Sequence, residues 1–460
     1  MILTQDSVMT YIEAKQYSIL RTTLSEENPF DIAALLSELS PEAVLLVFRI
    51  LPKNVAAETF VEMDSDHQEL LLRTFNDSEL RYLTEELFYD DIVDVIEELP
   101  ANLVTKILGN ATPETRAAIN QLLKYSPDSA GGIMTLEYVK LKPSMTVEEA
   151  FTTIKRTGID KETIYTCYVT GPAKHLLGVV TVKDMLLAPS HATMEDIMET
   201  NVITASTQDD KESVANLFVD YGFLALPVVD KENRLVGIVT VDDAMEVISE
   251  ESEEDIQIMA AITPSDTPYL KTSVFSIWKS RIPWLLLLMI SSTFTSLIIS
   301  SFEDALAASM ALTAFIPMLM GTGGNSGSQA SVTVIRSLSL EEIEFKDMFR
   351  IIWKELRVGF FCAVALAVAS FVKIVLIDIM LLPNSPMTLS AEGILITAVV
   401  CLALAVTVLV AKLIGAILPL IAKNVGFDPA VMASPFITTI VDALSLLVYF
   451  FFAKSLIPGL

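Results

Sequence analysis

The sequence predicts a multi-domain membrane protein: an α-helical superhelix domain, a tandem pair of small α/β modules, a connecting helix and a transmembrane domain of five helices. Three observations predict it. Apolar runs long enough to cross a bilayer begin at Ile282 and recur along the rest of the chain. Charge divides near the same point: residues 1–270 carry 19 Lys and Arg against 47 Asp and Glu, whereas residues 271–460 carry 12 against 11. Two internal repeats, one with helical spacing and one with β-branched strands, fill the acidic part.

Residues 1–130 read as the acidic helical-repeat domain. Leu35, Leu39, Leu51-Pro52 and Asn54 recur 48 residues later as Leu83, Leu87, Leu99-Pro100 and Asn102. Val44, Val47, Phe48 and Leu51 fall at steps of three and four, the spacing of one helix face. Short helix pairs stacked as a small superhelix are expected. The run from Tyr125 to Gly132 reads as a linker by composition.

Beyond it, Leu176-Leu177-Gly178-Val179-Val180-Thr181, followed by Asp184, recurs 59 residues later as Leu235-Val236-Gly237-Ile238-Val239-Thr240, followed by Asp243. Each copy runs from a β-branched strand into a helix, after a second strand and an amphipathic helix. The pattern resembles a tandem pair of CBS domains, over residues 131–195 and 196–249. That resemblance implies a pseudo-dimeric module that binds an adenine nucleotide such as ATP, with Thr181, Asp184, Thr240 and Asp243 matching the ribose contacts.

Residues 250–273 read as a connecting helix and 274–460 as the transmembrane domain. Its spans lie at about 283–301, 306–334, 358–381, 392–420 and 430–457, each near or above the roughly 20 residues a bilayer requires. Lys279 and Arg281 precede the first span; Arg336, Lys346, Arg350, Lys354 and Arg357 separate the second from the third; Lys412 and Lys423 end the fourth. Lys and Arg mark the cytosolic side. The N-terminal domains are therefore expected in the cytosol, the C-terminus outside, and the protein in the cell (inner) membrane as a multi-pass chain.

The acidity of residues 1–270 argues against nucleic acid, whose phosphates it repels, and favours cations. Cys167, Cys362 and Cys401 are far apart and form neither a disulfide framework nor a zinc signature. His67, His175 and His191 form no cluster with them. No basic start followed by an apolar core marks a signal peptide. No P-loop, Ser-His-Asp or Cys-His arrangement is seen, so no enzyme is expected.

Gly321-Thr322-Gly323-Gly324-Asn325-Ser326-Gly327-Ser328-Gln329 interrupts the second span. Broken backbone at membrane depth survives only when buried in protein or lining an aqueous path. The run therefore reads as a pore or binding site, with a helix-packing stripe as the plainer alternative. Asp442 lies near the middle of the last span, where a carboxylate costs about 2.5–3.5 kcal/mol on insertion scales. Lys373 in the third span or a permeating cation would compensate it. Pro435 removes a helical hydrogen bond from the carbonyl about four residues back, leaving that oxygen free to face an ion beside Ser434. Asp428 before Pro429 is a strong helix start. On a continuous helix, 14 residues would bring Asp428 and Asp442 within about 40° of one face.

Between Asp242 and Asp255 stand eight acids and no base, with Asp243, Glu246, Glu250, Glu253 and Glu254 on one helical face. Such a run is a solvated face or, because it joins the α/β pair to the first span, a lever on the membrane part. A third group is Asp90, Asp91, Asp94, Glu97 and Glu98. Facing acidic surfaces repel unless a hard cation bridges them. Mg²⁺, which favours carboxylate and water oxygens, suits that role.

Taken together, the arrangement resembles the MgtE-type magnesium transporter family along nearly the whole chain. The most specific pieces are Gly323 to Gln329, Arg281-Ile282-Pro283-Trp284-Leu285 and Pro435 to Asp442. The resemblance implies a homodimer in a lipid bilayer whose second and fifth spans line a Mg²⁺ pore. The pore-lining residues would include Gly323, Gly324, Asn325, Gln329, Ser434 and Pro435. The family's pore aspartate matches Asp442 and its acid at the cytosolic mouth matches Asp428. Its regulatory carboxylates match Asp91, Asp94, Asp243, Glu246, Glu251, Glu254 and Asp255. Gly222 stands where some relatives place an Asp. The implied function is Mg²⁺ transport into the cytosol, gated by cytosolic Mg²⁺ on these acids. Transport of Co²⁺ or Mn²⁺, or nucleotide sensing without transport, are the alternatives.

Overall fold

The prolines that punctuate the helical repeat are helix starts. Pro29, Pro41 and Pro113 open helices Pro29–Ser37, Pro41–Ile50 and Pro113–Leu122, and Asn28, Ser40 and Thr112 cap them by accepting from Phe30 N, Ala43 N and Thr115 N. Pro52 and Pro100, one repeat apart, instead occupy the cap positions of Lys53–Val61 and Ala101–Asn110, which have no side-chain cap. The computed structural model describes residues 3–265, 267, 269–270, 272–340, 342–379 and 390–458, in two compact units, Met1–Ser249 and Glu250–Leu460.

In the first unit, ten helices run from Gln5 to Leu122 among the described residues. From the third onward each packs on the second one after it, the stacking expected of a superhelix. The expected linker is instead a tight turn tied to the second α/β module. Ala130 N donates to Asp209 O, and Gly131 N to Thr207 O. A Cβ on Gly132 would lie 2.4 Å from Ser126 O, so only glycine fits.

Two three-stranded sheets follow, each with one parallel and one antiparallel pairing. Tyr138–Leu141, Thr163–Thr170 and Leu176–Thr181 form the first; Ala205–Ser206, Ala225–Val229 and Leu235–Thr240 form the second. The modules exchange short segments: Thr135 bridges Ile238 in the second sheet and Glu199 bridges Val179 in the first. The glycine repeated in both strands accounts for this. A Cβ on Gly178 would lie 2.7 Å from Glu199 O, and one on Gly237 2.6 Å from Thr135 O. Gly222 ends helix Lys211–Tyr221 at φ +67°, a left-handed position that favours glycine.

The acidic helix is Val241–Met259. Helix is thus present over the first part of the expected 250–273 segment only; residues 260–265 are irregular, and 266, 268 and 271 lie outside the described residues. In the second unit the long helices are Val274–Ser301, Ile316–Ser339, Met348–Lys373, Ala391–Val425 and Ser434–Leu456. Four stretches among the described residues are long and apolar enough to cross a membrane: Val274–Ser301, Phe345–Ile377, Ala391–Val425 and Pro429–Leu456. Arg350, Lys354 and Arg357, expected between spans, lie on the helix beginning at Met348. Residues 380 and 381 of the expected third span, and the loop to 389, lie outside the described residues. Ile316–Ser339 packs against both Ala391–Val425 and Ser434–Leu456, and Met348–Lys373 packs on Ala391–Val425.

Candidate functional site

In the first unit the acids converge. Asp90, Asp91 and Asp94 ride on helix Tyr89–Glu98, whose apolar face of Ile92, Val93, Val95 and Ile96 is buried. That burial brings its acidic edge to the base of the acidic helix, where Asp242 and Asp243 stand. Two further acids come from the first α/β module. Glu137 accepts from Tyr89 N at 2.8 Å, capping a helix whose own cap residue, Phe88, supplies no side-chain bond. Glu162 donates its backbone N–H to Glu137 O at 2.9 Å. Asp90 Oδ1 and Glu162 Oε2 are buried with no hydrogen-bond partner. Asp90 is 8 % exposed.

The electrostatic cost is plain. Burial, then the charges of Asp243, Asp91, Glu162 and Glu137, hold the Asp90 carboxyl well above the usual carboxylate range. Burial and Asp243 raise Asp91 to about 7, and burial and Asp91 raise Glu162 to about 8. Burial also raises Asp243, against the opposing hydrogen bond from Thr240. Asp94 is exposed at the edge of this group, and Glu246 is exposed one turn beyond Asp243. Sequence reasoning missed Glu137 and Glu162, which belong to no local run of charge. Asp90 was visible as part of an acidic run, but its burial was not.

The nucleotide candidates are self-paired. Thr181 and Asp184 form a reciprocal cap, with Asp184 N to Thr181 Oγ1 and Thr181 N to Asp184 Oδ2 both 3.1 Å. Thr240 N likewise donates to Asp243 Oδ2 at 3.3 Å. Asp184 is exposed, whereas Thr240 is buried and Asp243 belongs to the acid cluster.

In the second unit the glycine run is unbroken helix, contrary to expectation. The breaks come earlier, at Ser309 and at Ala314–Phe315. The glycines serve close packing: a Cβ on Gly323 would lie 2.7 Å from Ser445 Oγ, one on Gly324 3.0 Å from Thr438 Cγ2, and one on Gly327 2.8 Å from Ile437 Cγ2. Asn325 and Gln329, one turn apart, are exposed on the opposite side with Gly321.

The break lies instead before the last helix. Asp428 Oδ1 accepts from Ala430 N at 2.7 Å and starts the short 3-10 turn Pro429–Met432; Ala433 is extended, and the long helix begins at Ser434. Asp428 and Asp442 therefore do not share one helix. Pro435 sits in the first turn, where its missing N–H removes no bond from within the helix. The break is held by the glycine helix: Ser331 Oγ donates to Met432 O at 2.6 Å, and Ser434 Oγ to Ser328 Oγ at 3.1 Å. Asp442 is half-buried, two turns beyond. Lys373 Nζ lies 5.7 Å from the Phe315 ring centroid.

The end of the acidic helix meets this break. Ile258 and Met259 pack on Ile335, Ala430 and Ala433. Beside them, Ser339 Oγ donates to Asp255 Oδ2 at 3.3 Å, and burial together with the charge of Asp428 raises the Asp255 carboxyl. Glu251 is partly buried and Glu254 exposed on the same helix. Among the described residues, no three His, Cys, Asp or Glu side chains converge on one coordination point. The donors are nevertheless all hard oxygens, and an ion that keeps most of its waters needs only one or two of them directly.

Comparison with known proteins gives a consistent result. The profile of a divalent cation transporter family, MgtE, matches residues 316–452, that of the MgtE intracellular N domain matches 27–128, and that of the CBS domain matches 130–191 and 194–250. The chain is similar to the magnesium transporter MgtE of Thermus thermophilus, 36 % identical over 96 % of this chain and 95 % of that one. It is similar to the Bacillus subtilis magnesium transporter MgtE at 33 % identity over 96 % and 94 %. Among solved structures, the cytosolic domain of the Mg²⁺ channel MgtE in complex with ATP matches with a TM-score of 0.51 at 38 % identity, covering 53 % of this chain and 99 % of that one.

Proposed function

The chain belongs to the MgtE family of divalent cation transporters, and from that premise we propose that it carries Mg²⁺ across the membrane into the cytosol, under the control of Mg²⁺ held on its own acidic surfaces. It is a transporter, not an enzyme. The observation that carries the reading is Asp442, a carboxylate midway along an apolar helix, two turns beyond a backbone break braced by serines. An acid at that depth marks an ion route.

The conducting domain is read as five spans, with Ile316–Ser339 joining the four more apolar helices. Two chains place their glycine helices and last helices about a two-fold axis. The exposed Asn325 and Gln329, with Asp442 and Ser434, then face the path. Paired carboxylates attract the hydrated ion, and the membrane potential draws it inward at about 2.3 kcal/mol per charge per 100 mV. N-terminal domains in the cytosol follow from the distribution of Lys and Arg.

Gating uses the other acids. Asp90 Oδ1 and Glu162 Oε2, buried without partners, fit a site that takes a hard cation. Asp90, Asp91, Asp94, Glu162 and Asp243 would hold it between helix Tyr89–Glu98 and the α/β pair. Asp255, Asp428, Glu254 and Glu251 do the same where the acidic helix meets the break, and Glu246 extends the first group. Bound Mg²⁺ neutralises these surfaces and keeps the acidic helix against the pore helices; its loss lets them repel and separate. An adenine nucleotide such as ATP would use Thr181 and Asp184, the exposed pair, rather than Thr240 and Asp243.

Mg²⁺ uptake into proteoliposomes tests the reading. Wild type conducts and Asp442→Asn falls at least tenfold; equal flux removes Asp442 from the route. Competition by Co²⁺ and Mn²⁺ distinguishes the ion, and a tighter dependence on either would replace Mg²⁺ in the proposal.

A further inference from the structure

Lys412, expected to end the fourth span, lies instead well inside the apolar helix Ala391–Val425 and is 4 % exposed. A lysine buried at such a depth requires a counter-charge. Among the described residues, no hydrogen bond or ion pair reaches it. On the neighbouring helix Met348–Lys373, Glu355 Oε2 is fully buried and has no hydrogen-bond partner either. Neither residue belongs to the acidic surfaces or the ion route described above.

The register of the two helices sets these side chains within about a turn of each other. Ile351 packs with Ala416 and Leu420. Eight residues on, a Cβ on Gly359 would lie 3.2 Å from Leu409 Cδ2 and 3.5 Å from Lys412 Cδ. Ile351, Glu355 and Gly359 follow at four-residue steps and so share one face. Glu355 therefore falls between those contacts, within a turn of the level of Lys412. The missing side chain at Gly359 leaves room for the lysine stem. The same helix touches the glycine run one residue away: Ala411 O lies 3.2 Å from a Cβ on Gly327, and a Cβ on Gly415 would lie 2.2 Å from Gly327 O.

We propose that Lys412 and Glu355 form an ion pair inside the transmembrane domain, and that this pair positions Ala411 and Gly415 against Gly327 of the glycine helix. The ammonium moves along the Gly359 gap to the carboxylate, and each charge supplies what the other lacks in an apolar surrounding. The pair stands on the packing alone. Its effect on ion passage rests on the transport reading.

The test uses the full chain, in detergent for thermal unfolding and in proteoliposomes for Mg²⁺ flux normalised to folded protein. The variants are Lys412→Met, Glu355→Gln, the two together, and the charge reversal Lys412→Glu with Glu355→Lys. Each single neutral variant is expected to lower the unfolding midpoint by several degrees. The double variant should lose less than the sum of the two. Each single variant should also shift half-saturating Mg²⁺ at least threefold, and the reversal should return it to within twofold of wild type. Additive losses in the double variant overturn the ion pair, whether or not the reversed protein folds. Coupled unfolding with unchanged half-saturation overturns the positioning role. If wild type moves no Mg²⁺, the transport reading fails and the unfolding cycle still decides the pair.

Discussion

Asp90 pays for its place. Its carboxyl is buried among like charges and one oxygen has no partner, so without a cation it opposes the contact it helps to build. Asp90→Asn should therefore stabilise the Mg²⁺-free protein, because it removes a charge from among Asp243, Asp91, Glu162 and Glu137 while keeping the side chain's shape. It should also reduce the stabilisation that Mg²⁺ adds; thermal unfolding with and without the ion measures both. Ser331→Ala acts in the opposite direction. It leaves Met432 O without its donor and should cost about 1–3 kcal/mol in detergent unfolding. At this scale the sequence was partly legible. Asp91, Asp94 and Asp243 stood out because acids clustered along helical faces. Glu137 and Glu162 did not, since each stands beside a strand outside the acidic runs and acquires its neighbours only through the docking of a helix 39 or more positions earlier.

Helix Tyr89–Glu98 illustrates how an element borrows its stability. Its N-terminus is capped from another domain, by Glu137, so the cap exists only while the two surfaces touch. Glu137→Ala should cost about 0.5–2 kcal/mol, the usual worth of a cap. Hydrogen exchange at Tyr89 to Val93 should accelerate while the preceding helices are unchanged; uniform acceleration would mean general unfolding instead. The glycine helix teaches the converse. Four glycines within seven residues read as a break by propensity. Yet Gly323, Gly324 and Gly327 are helical because two neighbouring helices approach too closely for side chains there, and packing outweighs about 1 kcal/mol per glycine. The break falls at Ala433, a residue with no breaker character, where Ser331 on a different helix donates to the freed Met432 carbonyl.

For the whole molecule, the raised carboxyls give a signed pH dependence. A carboxyl whose folded value lies above its unfolded one supports the folded contact while protonated, and the support is lost as pH rises through the folded value. With Asp91 at about 7 and Glu162 at about 8, the Mg²⁺-free contact between helix Tyr89–Glu98 and the α/β pair should loosen between about pH 5 and 8. Saturating Mg²⁺ should flatten that slope, because the ion favours the charged forms. Hydrogen exchange of that helix across this range, with Mg²⁺ and with chelator, checks the sign; a contact that tightens with rising pH in chelator would contradict it.

The sequence by itself determined the large divisions: the acidic and apolar halves, both internal repeats, the tandem strand–helix modules and the acid within the last span. These rest on periodicity and charge density, which are local properties that neighbours along the chain can express. Tertiary structure alone decided which acids are buried, where the last helix breaks, which glycines touch another backbone and that Lys412 and Glu355 Oε2 are buried. Those depend on distances between residues far apart in the chain, and on the loss of water when such surfaces meet, so composition and spacing do not encode them.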